Sequence, residues 1–194
     1  MFLRISTLNS LMKQAYKTGL AVARTEDYLY LAGSYWEAEI KWGFIPKKTL
    51  GDLITLVGEL PEVGQRYSAT KEGLQMEMER NMRVNDHEFK DETLTITDVI
   101  IVGTQGVHQR LLQDESTGDI YPVNNVFVQI VDNSMIEEDK GEYSVEFPFF
   151  HRGYGVLWKN NVCKLRVHFR SDDKNSKILK ELRGVDITPE VPME

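Results

Sequence analysis

The alternation of apolar and polar residues predicts a β-hairpin between residues 27 and 46. From Trp36 onward the apolar side chains recur at every second position: they are Trp36, Ala38, Ile40, Trp42 and Phe44, with Glu37, Glu39 and Lys41 between them. A period of two is typical of an antiparallel strand with one buried and one solvated face. An apolar stretch at 28–32 precedes this strand, and Gly33 with Ser34 is a turn signal between them. We expect the hairpin, with two tryptophans on its buried face, to be the centre of the core.

Helices are predicted on both sides of this hairpin by apolar stripes with a period near 3.6. The first is capped by Thr7 and ends at Gly19; the second is capped by Thr49, with Asp52 as its capping-box partner, and ends at Gly58. The predicted buried faces are Leu8, Leu11, Met12 and Ala15 in the first helix and Leu50, Leu53, Ile54 and Val57 in the second. Short strands are expected at 2–5 and 20–24.

The remainder of the chain is predicted to be mostly β. Alternation over 74–84 favours a strand with methionines on its inward face, and the polar stretch 85–92 is typical of a linker. Further strands are expected at 93–102, 107–113, 143–150 and 162–170, before a helix at 174–183 that Asp172 or Asp173 would cap. The predicted fold class is α+β: a mixed, mostly antiparallel sheet with two N-terminal helices and one C-terminal helix. Residues 1–84 would form an α/β subdomain, 93–186 a mostly β subdomain with the C-terminal helix, and 187–194 a loose tail.

Composition narrows the class of protein without identifying a reaction. The single cysteine, Cys163, permits neither an intramolecular disulfide nor a cysteine-based zinc site. The sequence has no apolar run near the ~20 residues of a membrane helix, and its first residues do not resemble a signal peptide, so we expect a cytoplasmic protein. The GxSxG, GxxxxGK[ST] and GxGxxG motifs are absent, and the four histidines are scattered, so we expect neither a cofactor nor a metal.

Charge is distributed unevenly along the chain, whose net charge is −7. Residues 159–183 contain eight Lys or Arg and three acids, a local charge of +5, which leaves −12 for the rest. The polar face of the predicted strand and the outer face of the following helix would present Lys164, Arg166, Arg170, Lys177 and Lys180. These five residues are candidates for phosphate contacts. The alternative is a solvated face that acids from elsewhere in the fold neutralise.

One catalytic pattern is present in the predicted hairpin. Glu39 and Lys41 form an E-x-K on its polar face, with Asp27 upstream. This arrangement resembles the PD-(D/E)xK nucleases, in which two carboxylates hold a magnesium ion and the lysine assists the attacking water. Alternating charges on any solvated strand face produce the same tripeptide, so the interpretation of these residues as ordinary surface side chains stays open.

The first 80 residues resemble a subdomain of the DNA sliding clamps, the β-clamp and eukaryotic processivity-factor family. The resemblance rests on FLRIS, TLNSLMKQAYKTG, LAVART, YLYLAGSYWEAEIK and IPKKTLGDLITLVGELP, which give the family's order of strand, helix, strands and proline-preceded helix. It implies a clamp-like subdomain at 1–84 and a ring whose inner face is lined by basic helices. Lys13, Lys17, Lys47 and Lys48 lie on or beside the two predicted helices.

We therefore expect a non-enzymatic binding protein that associates with DNA in a sliding-clamp-like manner. The implied partners are nucleic acid or a DNA-processing protein, together with further copies of the chain in an oligomer, and no membrane. Two alternatives remain. One is a metal-dependent nuclease with Asp27, Glu39 and Lys41 as catalytic residues, and the other is a protein–protein interaction or scaffolding module without a nucleic-acid role.

Overall fold

The computed structural model describes residues 1–76, 82–86, 93–132, 145, 148–151, 155–169 and 175–189. Its helices are α1 (Ile5–Ala15), α2 (Lys47–Val57), α3 (Asn125–Gln129) and α4 (Ser176–Leu182). Its strands are β1 (Leu20–Arg24), β2 (Tyr28–Ala32), β3 (Trp36–Lys41), β4 (Gln65–Thr70), β5 (Gly73–Met76), β6 (Thr95–Val102), β7 (His108–Gln113), β8 (Ile120–Asn124), β9 (Phe149–His151), β10 (Gly155–Lys159) and β11 (Cys163–His168). No helix in the described ranges is long and apolar enough to cross a membrane.

The strands form two antiparallel sheets. Eight of them make one sheet in the order β5-β4-β1-β2-β3-β11-β10-β9, and β6, β7 and β8 make a second sheet. The predicted hairpin is confirmed: β2 and β3 pair in register, with Leu31 opposite Ala38. A Cβ on Gly33 would lie 2.5 Å from Trp36 Nε1, so the turn between these strands needs a glycine.

One face of the eight-stranded sheet is covered by α1 and α2 and forms the main core. The buried stripe of α1 is Leu8, Leu11, Met12 and Ala15, as predicted. In α2 the stripe consists of Thr49, Leu53 and Val57, whereas Ile54 is exposed. The same core includes Leu112 of β7 and Phe127 of α3, so the second sheet packs on it too. The α+β class is thus confirmed in its coarse form, although α3 makes the described helices more numerous than predicted.

Several predicted boundaries near the N-terminus are wrong. Helix α1 begins at Ile5, two residues before Thr7, and α2 begins at Lys47 after Pro46, so neither threonine is an N-cap. The predicted first strand is reduced to a single bridge between Leu3 and Val131. Strand β3 ends at Lys41 and Trp42 begins a 3₁₀ turn, so Trp42 is only half-buried beside the core, whereas Trp36 is fully buried.

The sequence-based predictions failed most in strands at and next to the edges of the large sheet. Strands β4 and β10 were not predicted, although half of the residues of β4 and four of the five residues of β10 are buried. In β5, Leu74 and Met76 are about half exposed at the sheet edge, so the predicted inward face is wrong there. Helix α4 starts after Asn175; the predicted caps Asp172 and Asp173 lie outside the described residues. In the predicted loose tail, the Ile187 N–H donates to Gln113 Oε1 at 2.9 Å.

The two predicted subdomains share the eight-stranded sheet. Strand β3 from the N-terminal part pairs directly with β11 from the C-terminal part, with Leu165 opposite Ala38. The polar stretch 85–92 therefore separates the two parts along the sequence, but it does not divide the sheet. Residues 87–92 lie outside the described part. Whether the two parts are separate domains stays a prediction.

Candidate nucleic-acid interface

The outer faces of the two N-terminal helices, α1 and α2, carry exposed lysines. Because each helix buries one apolar stripe against the sheet, its remaining positions face solvent. Four exposed lysines lie on or directly beside these helices: Lys13, Lys17, Lys47 and Lys48. We call these four residues the helical lysine surface. Other exposed positions of the two helices are small or polar, such as Ser6, Ser10, Gly51 and Thr55, or apolar, namely Ile5 and Ile54.

A single carboxylate, Asp52, lies on the described residues of α1 and α2. Its Oδ2 accepts a hydrogen bond from Lys48 Nζ at 2.9 Å and one from the buried amide of Asn9 at 2.6 Å. The hydrogen bond from Lys48 lowers the pKa of Asp52, and the positive charge of Lys13 also contributes. Four lysines against one aspartate give this surface a charge of +3 in a chain whose net charge is −7.

The predicted cationic face of β11 is neutralised within the sheet. Arg166 lies opposite Glu37 across β3 and donates from Nη2 to its carboxylate. Lys164 lies opposite Glu39, with Nζ 3.7 Å from Glu39 Oε1 and 3.0 Å from Asp86 Oδ2. The side chains of Lys164 and Arg166 are only 20% and 14% exposed. These two candidates therefore correspond to the alternative stated from the sequence, a face balanced by acids from elsewhere in the fold.

Of the other candidates, Lys177 and Lys180 have no described contact with this strand face. Lys177 and Lys180 are exposed on α4, and Lys177 is 3.9 Å from Glu181. The ends of α4 are held by the three-stranded sheet: Asn175 donates to Gln109 Oε1 of β7, and Arg183 pairs with Asp119. Arg170 lies outside the described residues. Lys164 and Arg166 therefore lie in the eight-stranded sheet, whereas Lys177 and Lys180 lie on a helix whose ends contact the three-stranded sheet.

The nuclease pattern does not form a metal site in the described part of the chain. Glu39 is 1% exposed, and its carboxylate is already bonded by Arg83 and the Val84 N–H. Lys41 and Asp27 are exposed. Lys41 lies opposite Tyr28 in the β2–β3 pair, and Asp27 lies in the turn before β2. No group of three or more His, Cys, Asp or Glu among the described residues could hold a metal ion. The prediction that Glu39 lies on a solvated face is wrong, because the segment containing Arg83 covers it.

A cleft of about 1100 Å³ lies between the second sheet, α3 and the C-terminal segment. Its charged lining has both signs, with Arg4 and Arg110 beside Asp98 and Asp114. These groups are bonded within the protein: Arg110 donates to the Thr97 carbonyl at 2.9 Å, and Asp114 caps the turn at Ser116. Burial raises the pKa of Asp114, but the hydrogen bonds from Ser116 and Thr117 outweigh burial and lower it. The cleft therefore lacks the single-sign lining expected of a phosphate site.

The distribution of charge along the sequence could not identify the acidic partners of Lys164 and Arg166 on β11. Glu37 and Glu39 are about 130 residues from Arg166 and Lys164, and only the pairing of β3 with β11 brings them together. The helical lysine surface, in contrast, is visible in sequence, because each lysine lies outside the apolar stripe of its helix.

Comparison with known proteins gives matches to solved structures. No protein-family model matches the chain, and no curated protein is significantly similar to it. Similar solved structures include the β subunit of DNA polymerase from Streptococcus pyogenes (13% identity, TM-score 0.36) and the DNA polymerase III β chain from Streptococcus pneumoniae (12% identity, TM-score 0.38). Each match covers 87% of this chain and 62% and 63%, respectively, of those chains. This confirms a weak resemblance to the sliding-clamp family and says nothing about what this chain binds.

Proposed function

We propose that the chain is a non-enzymatic DNA-binding protein that contacts the phosphate backbone through the helical lysine surface. The observation that carries the proposal is the charge of +3 on exposed faces of two adjacent helices in an acidic protein. Asn9 and Asp52 join these helices, so the lysines of both belong to one surface. The cations of β11, in contrast, already pair with acids.

The chemistry of this surface suits contact with phosphate without reading of bases. Lysine ammonium groups act as point charges on long stems and neutralise phosphates without fixing a sequence. Ser6, Ser10 and Gly51 add little bulk between the lysines, so a polyanion can approach the helices closely. Binding of this kind should be similar for all duplex sequences.

We further propose that binding is clamp-like, with several copies of the chain forming a closed ring around the duplex. The chain spans about three fifths of the length of the two solved chains that it resembles. A closed ring encircles the duplex, whereas simple electrostatic binding does not, so only a ring requires a free DNA end to slide off. Such a ring should remain on closed circular DNA at a salt concentration that releases it from a short linear duplex.

The first experiment replaces Lys13, Lys17, Lys47 and Lys48 together by Gln and measures the affinity for a duplex oligonucleotide as salt is varied. For each copy of the unchanged chain that binds, we expect a contribution of about −2.7 to −3.6 to the slope of log K against log salt, if its lysines neutralise three or four phosphates. The variant should lose most of its affinity and most of this slope. The matched control replaces the exposed Lys177 and Lys180 of α4 by Gln and should leave both quantities nearly unchanged.

If the Lys177 and Lys180 variant lost affinity and salt dependence while the four-lysine variant kept both, the interface would lie on α4. Absence of salt-sensitive binding to DNA at low ionic strength would contradict the DNA-binding proposal as a whole. The chain would then fit the alternative of an interaction or scaffolding module. Equal retention on circular and linear DNA would contradict the ring while leaving the lysine surface supported.

A further inference from the structure

A short segment of the chain crosses the face of the eight-stranded sheet that lies opposite α1 and α2. We call residues 82–86 the strap. Val84 at its centre is 2% exposed and belongs to a buried cluster with Tyr30 of β2, Phe149 of β9 and Leu157 of β10. The strap therefore packs with strands from both the N-terminal and the C-terminal parts of the sheet.

The strap is bonded mainly to one carboxylate, that of Glu39 in β3. Glu39 Oε2 accepts a hydrogen bond from the Val84 N–H at 3.0 Å and another from Arg83 Nε at 3.3 Å. Glu39 Oε1 accepts from Arg83 Nη2 at 3.0 Å. The Arg83 guanidinium also lies over the Tyr28 ring, 4.5 Å from its centre.

Lys164 of β11 completes this arrangement from the other part of the sheet. Its Nζ lies 3.7 Å from Glu39 Oε1 and 3.0 Å from Asp86 Oδ2, at the far end of the strap. Glu39 and Lys164 also face each other directly across the β3–β11 pair. The strap, the N-terminal part and the C-terminal part thus meet at a single buried carboxylate.

A buried carboxylate needs charged and hydrogen-bonding partners, because an unpaired charge out of water is strongly unfavourable. Among the described residues, the strap supplies all three hydrogen bonds to Glu39, and Lys164 supplies a further positive charge. If the strap left the sheet, Glu39 would keep only Lys164 among the described partners. The strap and the β3–β11 junction should therefore stabilise each other.

We propose that Glu39 is a latch that holds the strap on the sheet and thereby fixes the junction of β3 with β11. Release of the latch would uncover Val84 and Leu157 and would remove Arg83 and Val84 as partners of Glu39 at the β3–β11 pair. The latch lies on the opposite side of the sheet from the helical lysine surface, so none of its residues belongs to the proposed DNA contacts.

Residue-resolved hydrogen exchange tests this directly, because the Val84 amide donates to Glu39. In Glu39→Gln we expect the protection of Val84, relative to the amides of β1 and β2, to fall about tenfold or more, because the glutamine amide has no negative charge and only one acceptor oxygen for Val84 and Arg83 together. In Arg83→Met, which keeps an apolar stem over Tyr28, we expect about threefold or more. Trypsin should also cleave after Arg83 faster in Glu39→Gln than in the unchanged protein.

The matched control is Glu37→Gln, two residues away on the same face of β3. Glu37 pairs with Arg166 and has no described contact with the strap. Any loss of protection in this control should be shared by all amides, without a selective loss at Val84. An unchanged relative protection of Val84 in both Glu39→Gln and Arg83→Met would overturn the latch, and so would an equal selective loss in Glu37→Gln. If Glu39→Gln does not fold, Arg83→Met and its exchange decide alone, because Arg83 is 52% exposed and its truncation is mild.

Discussion

The two faces of the eight-stranded sheet are stabilised by different interactions at the same pair of strands. Where β3 meets β11, one face has Ile40 opposite Cys163 and Ala38 opposite Leu165, all buried beneath the helices and the second sheet. On the other face of these strands, Arg166 pairs with Glu37, and Lys164 with Glu39 and Asp86. The first face supplies apolar burial, and the second supplies directional charge pairing.

The difference between the faces matters for register. A slip of one residue would expose the apolar face, so burial alone excludes it. A slip of two residues would keep the apolar face buried, but it would place Lys164 opposite Lys41 in one direction and Arg166 opposite Tyr35 in the other. Opposed like charges and unpaired buried charges are both unfavourable. The charged face therefore distinguishes registers that the apolar face does not.

The largest effect is expected on the apolar face, at Trp158 of β10. Its side chain is fully buried in the main core, and its Nε1 has no hydrogen-bond partner in the described part of the chain. Trp158→Ala should lower the free energy of unfolding by about 3–5 kcal/mol, because it removes a large apolar side chain and leaves a cavity. Urea unfolding followed by circular dichroism measures this loss.

Trp158→Phe is the matched control, because it keeps a ring in the core and removes the unpartnered N–H. We expect it to be clearly less destabilising than Trp158→Ala. Similar, small losses in both variants would show that this part of the apolar face contributes little, and the contrast between the two faces would fail.

The second effect is expected on the charged face, at Glu37. Burial raises the pKa of Glu37, but the neighbouring His168 and the hydrogen-bonded Arg166 outweigh burial and hold this pKa below its ordinary value. Glu37→Gln should lower the free energy of unfolding by about 2–3 kcal/mol at neutral pH, because it leaves Arg166 without its carboxylate in a mostly buried place. Chemical unfolding at pH 7 measures the difference.

The pH dependence provides the control for this assignment. Because the pKa of Glu37 is lower in the folded chain than in the unfolded chain, its contribution is complete above the ordinary glutamate pKa of about 4.3 and is lost as the pH falls through the folded value. The stability difference between the unchanged protein and Glu37→Gln should therefore shrink as the pH falls below about 4. A difference that stays constant down to pH 2 would mean that the substitution acts through packing.

The sequence predicted the apolar face far better than the charged one. Period-two and period-3.6 patterns located β1, the β2–β3 hairpin and the buried stripe of α1, because burial on one face makes apolar residues recur at regular intervals. No such pattern reveals the partners of Glu37 and Glu39, since these partners come from distant strands and from the strap. Strands at or next to a sheet edge, such as β5 and β4, have mixed patterns of buried and exposed residues, which the sequence does not predict.

The smallest effect is expected on the helical lysine surface, and two lysines allow a direct comparison. Lys48 is 69% exposed beside Asp52, whereas Lys164 is 20% exposed between Glu39 and Asp86. Lys48→Gln should produce no measurable change in the urea midpoint, because solvent screens an exposed ion pair within one helix. Lys164→Gln should lower the free energy of unfolding by about 1–2 kcal/mol, because it removes the cation between two carboxylates, one of them fully buried. Equal midpoints for the two variants would contradict the assignment of a structural role to the charge of Lys164 and not to that of Lys48.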